Sequence, residues 1–166
     1  MAITTDDIKA LRDETGVSVM QCKKALEEAG GDRAKAREVL RRESGAVAAK
    51  KADRALGAGV VAAYVHNTKA VAALVQLSCE TDFVARNEAF DALAHDLAMQ
   101  VAATNPRYLA RGEVPEGTDA SPEEILLEQP FIKGSGETVQ GLLDQAVQKF
   151  GERVEVVRVA RFSTRG

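Results

Sequence analysis

"VVAAYVHNTKAVAALVQLSC", residues 60–79, is where the period of the sequence changes to two. Its arms, 60–66 and 71–79, flank Asn67-Thr68-Lys69-Ala70, a turn signal, and read as an antiparallel hairpin. In the second arm Val71, Ala73, Val75, Leu77 and Cys79 share one face, and the other face becomes polar at Gln76, Ser78 and Glu80. That asymmetry predicts a sheet covered on one side.

Downstream the period returns to that of a helix. Phe90, Leu93, Ala94, Leu97, Ala98 and Val101 lie at i, i+3, i+4, i+7, i+8 and i+11, with Asn87 as N-cap. "TNPRYL" ends this helix, because a residue before proline is pushed out of the helical region. Residues 111–120 read as a loop. Ser121-Pro122-Glu123-Glu124 combines a capping box with proline at the first helical position, so a brief helix follows, ending near Gln129-Pro130. "GSG" (134–136) is a turn. Thr138 opens a helix carrying Val139, Leu142, Leu143, Ala146, Val147 and Phe150, and Gly151 closes it. "RVEVVRVARF" (153–162) is β-branched and reads as a third strand, with a bulge where its alternation slips at Val156-Val157.

Upstream, residues 1–45 read as three short helices. Thr4 or Thr5 caps the first, which carries Ile8, Leu11 and Thr15 on one face and ends at Gly16. Ser18 with Gln21 gives the second a capping-box pattern; its stripe is Val19, Cys22, Leu26 and Ala29, and Gly30-Gly31 stops it. Asp32 caps the third, with Ala36, Val39 and Leu40 inward and a stop near Gly45. The expected fold class is α+β. A three-helix module (1–45) and a linker (46–56) precede a core domain (57–166), in which a three-stranded antiparallel sheet carries helices on one face.

Composition bounds the function. The chain has 166 residues, 45% hydrophobic and 28% charged, which suits one domain with a small satellite. With no Trp and only five Phe, the core must be mostly Ala, Val and Leu. A net charge of −3 argues against nucleic acid as a partner, since phosphate contacts need clustered Lys and Arg. The charged N-terminus has no apolar segment of the secretory kind, and no apolar run is long enough to span a membrane. Cys22 and Cys79 lie far apart, which points to a reducing compartment and a cytoplasmic location without a zinc site.

Catalytic signals are sparse. "GAGVVA" (57–62) has the spacing of a dinucleotide fingerprint, yet a charged linker precedes it and strand alternation follows, where the fingerprint needs a strand before and a helix after. No phosphate-binding loop of the GxxxxGK[ST] kind occurs. His66 and His95 are the only histidines. His95 sits one position off its helix's apolar stripe with Met99 a turn on, either a boundary residue or part of a contact surface. Met20, Lys23, Lys24 and Glu27 form the outer face of the second helix, either ordinary surface or an adaptable contact. Between strand and helix stands "CETDFVARNEAF" (79–90). There Asp82 either caps a helical turn while Phe83 tucks under the sheet, or Phe83 is an exposed anchor able to fill a partner's crevice.

"LRDETGVSVMQCKKALEEAGGD" (11–32) resembles the N-terminal helical module of the bacterial elongation factor Ts family, and "CETDFVARNEAF" its TDFV signature. "AHDLAMQVAATNPRYL" (94–109), "EQPF" (128–131) and "VRVARF" (157–162) continue the resemblance in family order. The resemblance implies a guanine-nucleotide exchange factor for GDP-bound elongation factor Tu, with no cofactor and no catalytic chemistry of its own. It implies that Thr81, Asp82, Phe83 and Val84 dislodge Mg²⁺ from that partner, with Phe83 as wedge, so that GDP leaves. It implies a ubiquitin-associated-like N-terminal module touching the same partner, with Arg12, Met20 and Lys23 as the candidate contacts. His95 falls where the family often has a histidine, and Gln100 replaces a second one. Longer members carry two copies of the core module and this chain one, which implies a homodimer, its open sheet edge pairing across a two-fold axis. The tail "FSTRG" has no cysteine to bridge such a dimer. A binding module without exchange activity is the alternative, and a small enzyme a more distant one.

Overall fold

The computed structural model describes residues 2–134 and 136–166; Ser135, inside the expected turn at 134–136, lies outside them. The elements run α1 (Thr5–Thr15), α2 (Val19–Glu28), α3 (Arg33–Ala49), β1 (Ala58–Val65), β2 (Val71–Cys79), α4 (Asp82–Ala85), α5 (Glu88–Thr104), α6 (Val139–Phe150) and β3 (Glu155–Ser163). Short 3-10 turns lie between α5 and α6. Two compact units result: Met1–Asp53 with Asp144–Arg153, and Arg54–Leu143 with Val154–Gly166, the division running through α6.

In the first unit, caps set the helix limits. The Thr4 hydroxyl accepts the Asp7 amide and the Asp7 carboxylate accepts the Thr4 amide, while Gly16 at φ 69° closes α1 in the left-handed region. Ser18 accepts the Gln21 amide at 3.4 Å, but its hydroxyl donates to Gln21 Oε1, so the expected box is only half made. Asp32 caps α3 through the Lys35 amide at 3.1 Å. Leu11, Cys22, Ala25, Leu26, Ala36, Val39 and Leu40 form one core. Two expectations fail here. Val19 is exposed, and Ala25 takes a core position in its stead. The third helix also passes through Gly45 to Ala49. A glycine costs a helix about 1 kcal/mol, and the following Ala-Val-Ala-Ala run, rich in the best helix former, outweighs it.

In the second unit the strand order is β1-β2-β3, antiparallel throughout. The hairpin closes with the His66 amide on the Val71 carbonyl at 2.9 Å and Lys69 at φ 61°. The pairing slips between Gln76 and Leu77, which face Arg158 and Val156, so Val157 is the extra residue of the expected bulge. Ala73, Val75, Leu77 and Cys79 are buried on the face that α5 covers, together with Phe90, Ala94, Leu97, Ala98 and Val101 of that helix. Burying each large side chain among these contributes about 2 kcal/mol. Asn87 caps α5 through the Ala89 amide at 2.8 Å, and Asn105 ends it at φ 47°. The Arg161 side chain donates to the Ala102 carbonyl at 3.0 Å, tying β3 to the last turn of α5. The fold class is therefore α+β, three N-terminal helices followed by a three-stranded antiparallel sheet with helices packed against it.

Candidate partner-binding site

At the end of β2 the chain makes a single helical turn. Thr81 is its N-cap, and α4 supplies Asp82, Phe83, Val84 and Ala85. The Ala85 amide donates to the Thr81 carbonyl at 3.2 Å, Arg86 to Asp82 at 3.0 Å and Asn87 to Val84 at 3.0 Å. Consecutive helical side chains point about 100° apart, enough for one to face the core and the next the solvent. Val84 is 4% exposed and packs inward, whereas Phe83 is 86% exposed. Phe83 does not tuck under the sheet, and Asp82 is a helix residue rather than the cap. Phe90, fully buried a few residues on, fills the aromatic place in this core. Leaving a phenyl ring in water forgoes roughly 2 kcal/mol of burial, so nothing in the fold itself calls for an aromatic at the tip.

His95 is exposed on α5, two turns beyond its cap, and stands edge-on to Tyr64 with ring centroids 5.9 Å apart. The Tyr64 hydroxyl lies 3.0 Å from His66 Nδ1, so one tyrosine on β1 touches both histidines. Met99 is half-buried. Among the described residues no hydrogen bond or ring contact joins His95 to Phe83.

Gln100 points the other way, into the interior, and is fully buried. Its amide donates to Gln129 Oε1 at 3.0 Å and to the Pro130 carbonyl at 3.1 Å, and accepts the Ile132 amide at 2.9 Å. Gln129 completes the group, accepting Thr104 Oγ1 at 2.8 Å and donating to the Glu123 carbonyl at 2.6 Å. The Gln100 side chain thus serves as a surrogate peptide unit pairing the 130–132 segment to α5. A satisfied buried network of this kind fixes structure.

In the first unit Met20 is 75% exposed on the outer face of α2, one turn from Lys23, whose ammonium pairs with Glu27 at 3.8 Å. Arg12 is exposed on α1. Among the described residues no hydrogen bond or ion pair links its side chain to Met20 or Lys23. Burial pushes the Cys22 thiol up from its ordinary value, with Thr15 and Arg12 opposing, so it is a poor nucleophile.

One surface escaped the sequence reading. On the sheet face away from α5, Val65, Ala72 and Phe162 form one cross-strand row and Ala63, Leu74 and Ala160 the next. Phe162 is 72% exposed and Val61 67%. The signal was present in the alternate positions Val61, Ala63 and Val65 of β1 and Ala160 and Phe162 of β3; Arg158 and Glu155 make the other end of the same face polar. Among the described residues no three His, Cys, Asp or Glu side chains gather to hold a metal ion, and no helix is long and apolar enough to cross a membrane. The arrangement is one of surfaces: a rooted aromatic tip, an exposed methionine and a bare apolar sheet face.

A family model described as Elongation factor TS matches residues 42–133. The chain is 42% identical to "Elongation factor Ts" of Moorella thermoacetica, covering 96% of this chain and 94% of that one. It is 40% identical to the protein of the same name from Thermodesulfovibrio yellowstonii, over 98% of this chain and 96% of the relative. It is likewise 40% identical to that of Leptospira biflexa, with both chains covered in full.

Proposed function

The chain belongs to the elongation factor Ts family, non-catalytic nucleotide exchange factors for elongation factor Tu in translation elongation, and from that premise we propose how it acts. Phe83, backed by Thr81, Asp82 and Val84, enters the nucleotide-binding domain of GDP-bound elongation factor Tu, displaces Mg²⁺ and opens the site so that GDP leaves. The observation that carries this reading is the exposed ring of Phe83 on a turn whose neighbouring side chain is buried. A factor of this type must bind the open partner better than the closed one, and a wedge that fits only the opened crevice supplies that difference. Arg12, Met20 and Lys23 hold the partner from the N-terminal module, and His95 with Met99 adds a contact from the core domain, residues 57–166.

The protein acts in the cytoplasm as a homodimer. Its apolar sheet face supports the dimer better than the open strand edge does. A contiguous apolar surface of this kind commonly marks an interface, and a two-fold axis lets the same rows face each other. Phe162→Asp should then shift the mass in sedimentation from dimer to monomer; a wild type that sediments as a monomer at micromolar concentration would overturn the assignment.

The exchange reading is tested by release of a fluorescent GDP analogue from elongation factor Tu. Wild type should accelerate release. Phe83→Ala should lose most of the acceleration while still binding. Binding by wild type with release left at its intrinsic rate would instead make the chain a binding module.

A further inference from the structure

The glycines of "GAG" (57–59), which bind no nucleotide in the reading above, lie against the root of the wedge. A Cβ on Gly57 would stand 3.0 Å from the Glu80 carbonyl oxygen. One on Gly59 would stand 2.5 Å from the Leu77 carbonyl oxygen and 2.9 Å from Cα of Ser78. Neither glycine has a positive φ, so what the positions require is space. The start of β1 is pressed onto the end of β2, in a register that pairs Ala58 with Cys79 and Gly59 with Ser78.

Cys79 acts on the next peptide unit. Its buried thiol donates to the Thr81 carbonyl at 3.3 Å. Thr81 is the N-cap of α4, yet its own side chain makes no capping bond. The same carbonyl accepts the Ala85 amide, the backbone hydrogen bond that ties the α4 turn back to its cap. Glu80 and Thr81 are the two residues between β2 and α4. The backbone of one is packed against Gly57, that of the other is held by Cys79, and the Glu80 side chain meets Arg54 at 3.5 Å.

We propose that Gly57 and Cys79 are positioning residues for exchange: they fix the strand-to-helix connection so that Phe83 meets the partner on a rigid mount. The proposal rests on the reading of Phe83 as wedge. A tip that yields on contact spends binding free energy on its own ordering, whereas a pre-set tip directs that energy into opening the partner. The effect therefore belongs in the rate of GDP release at saturation and not in affinity.

The experiment uses the full chain as Gly57→Ala, Cys79→Ala and Cys79→Ser, with Gly112→Ala as control, since a Cβ at Gly112 meets nothing within 4 Å. Amide hydrogen exchange of the free protein is read at Ala85 and Arg86 of the turn and at Ala98 in α5. GDP release from elongation factor Tu is read as maximal rate and half-saturating concentration. Gly57→Ala and Cys79→Ala should speed exchange at Ala85 by about three- to tenfold, the effect of one ordinary hydrogen bond, and leave Ala98 unchanged. They should lower the maximal release rate by a similar factor at an unaltered half-saturating concentration. Cys79→Ser keeps a donor and should restore both, and Gly112→Ala should match wild type. Unchanged Ala85 exchange in both alanine variants overturns the proposal. So does a loss that appears only as a raised half-saturating concentration, or a serine variant as impaired as the alanine. If Gly57→Ala does not fold, the Cys79 pair decides. Failure of wild type to accelerate release overturns the wedge itself; acceleration with an unmoved Ala85 overturns only the positioning.

Discussion

The Phe83 turn and the Gln100 network sit in the same unit and invert each other. At the turn an apolar ring stands in water on a mount of buried neighbours. In the network a polar amide is fully buried and every one of its hydrogen-bonding atoms is used. Burial of the apolar and exposure of the polar is the ordinary rule, and both places break it. The network resolves its violation internally, by mutual hydrogen bonds. The turn does not, and so points outside the molecule for its explanation.

Removing each side chain should separate the two. Phe83→Ala carries the largest expected effect on activity, a fall in stimulated GDP release on the order of 10²-fold, as for a central interface anchor. Its melting temperature should stay within about 2 °C of wild type, because an exposed substitution changes stability by no more than ~0.5 kcal/mol. A large drop in melting temperature would mean that the ring supports the fold after all. Gln100→Leu should do the reverse. It leaves the Pro130 carbonyl, the Ile132 amide and part of Gln129 unpaired in the interior, at a cost of roughly 3 kcal/mol, or about 6–12 °C in a domain of this size. Release per folded molecule should fall far less than with Phe83→Ala. If Gln100→Leu melts like wild type and loses exchange activity, the buried amide has a direct functional role and the contrast collapses.

Why one region was legible in the sequence and another was not follows from the same contrast. The hairpin, the caps at Thr4, Asp32 and Asn87, and the bulge near Val157 are local events, written in residues a few positions apart. The length of α3 was missed because Gly45 is a stop signal only when its surroundings are weak, and the alanines after it are strong. The role of Gln100 depends on partners 29 to 32 residues away, beyond any periodic pattern. Phe83 was ambiguous because alternation cannot place a side chain on a single helical turn; packing of Val84 beside it settles the direction. The apolar sheet face was overlooked because Gln76 and Ser78 of β2, which pair with Arg158 and Glu155, stood for the whole face, whereas its other end, Val61, Ala63 and Val65 of β1 with Ala160 and Phe162 of β3, is apolar.

The smallest effect concerns what surrounds the network rather than the network itself. Its loop is rimmed by two carboxylates. Glu124 is held below its ordinary value by the Ser121 amide and then by Arg107, and Glu128 by Arg111. Asp7 and Asp32 are lowered in the other unit, by the Thr4 cap and the Lys35 amide. All four are stabilised in the charged form by folding, so the folded chain binds protons less readily than the unfolded one. Their contribution is complete above the ordinary values, 3.8 for Asp and 4.5 for Glu, and is lost as pH falls through the lowered values of the folded state. The melting temperature should accordingly be flat from neutrality down to about pH 5 and decline below about pH 4. The buried amides do not titrate, so the loop at 121–129 should loosen in acid while the hydrogen bonds of Gln100 persist. Protection against amide exchange, relative to the intrinsic rate at each pH, should fall at Ser121, whose N–H is on the Glu124 carboxylate at 3.0 Å, before it falls at Ile132, on Gln100 at 2.9 Å. High salt should weaken the Arg111–Glu128 pair and leave the Asp7 cap nearly unchanged, because the first is an exposed ion pair and the second a local hydrogen bond. Simultaneous loss of protection at Ser121 and Ile132 would mean that the rim and the buried network open as one cooperative piece.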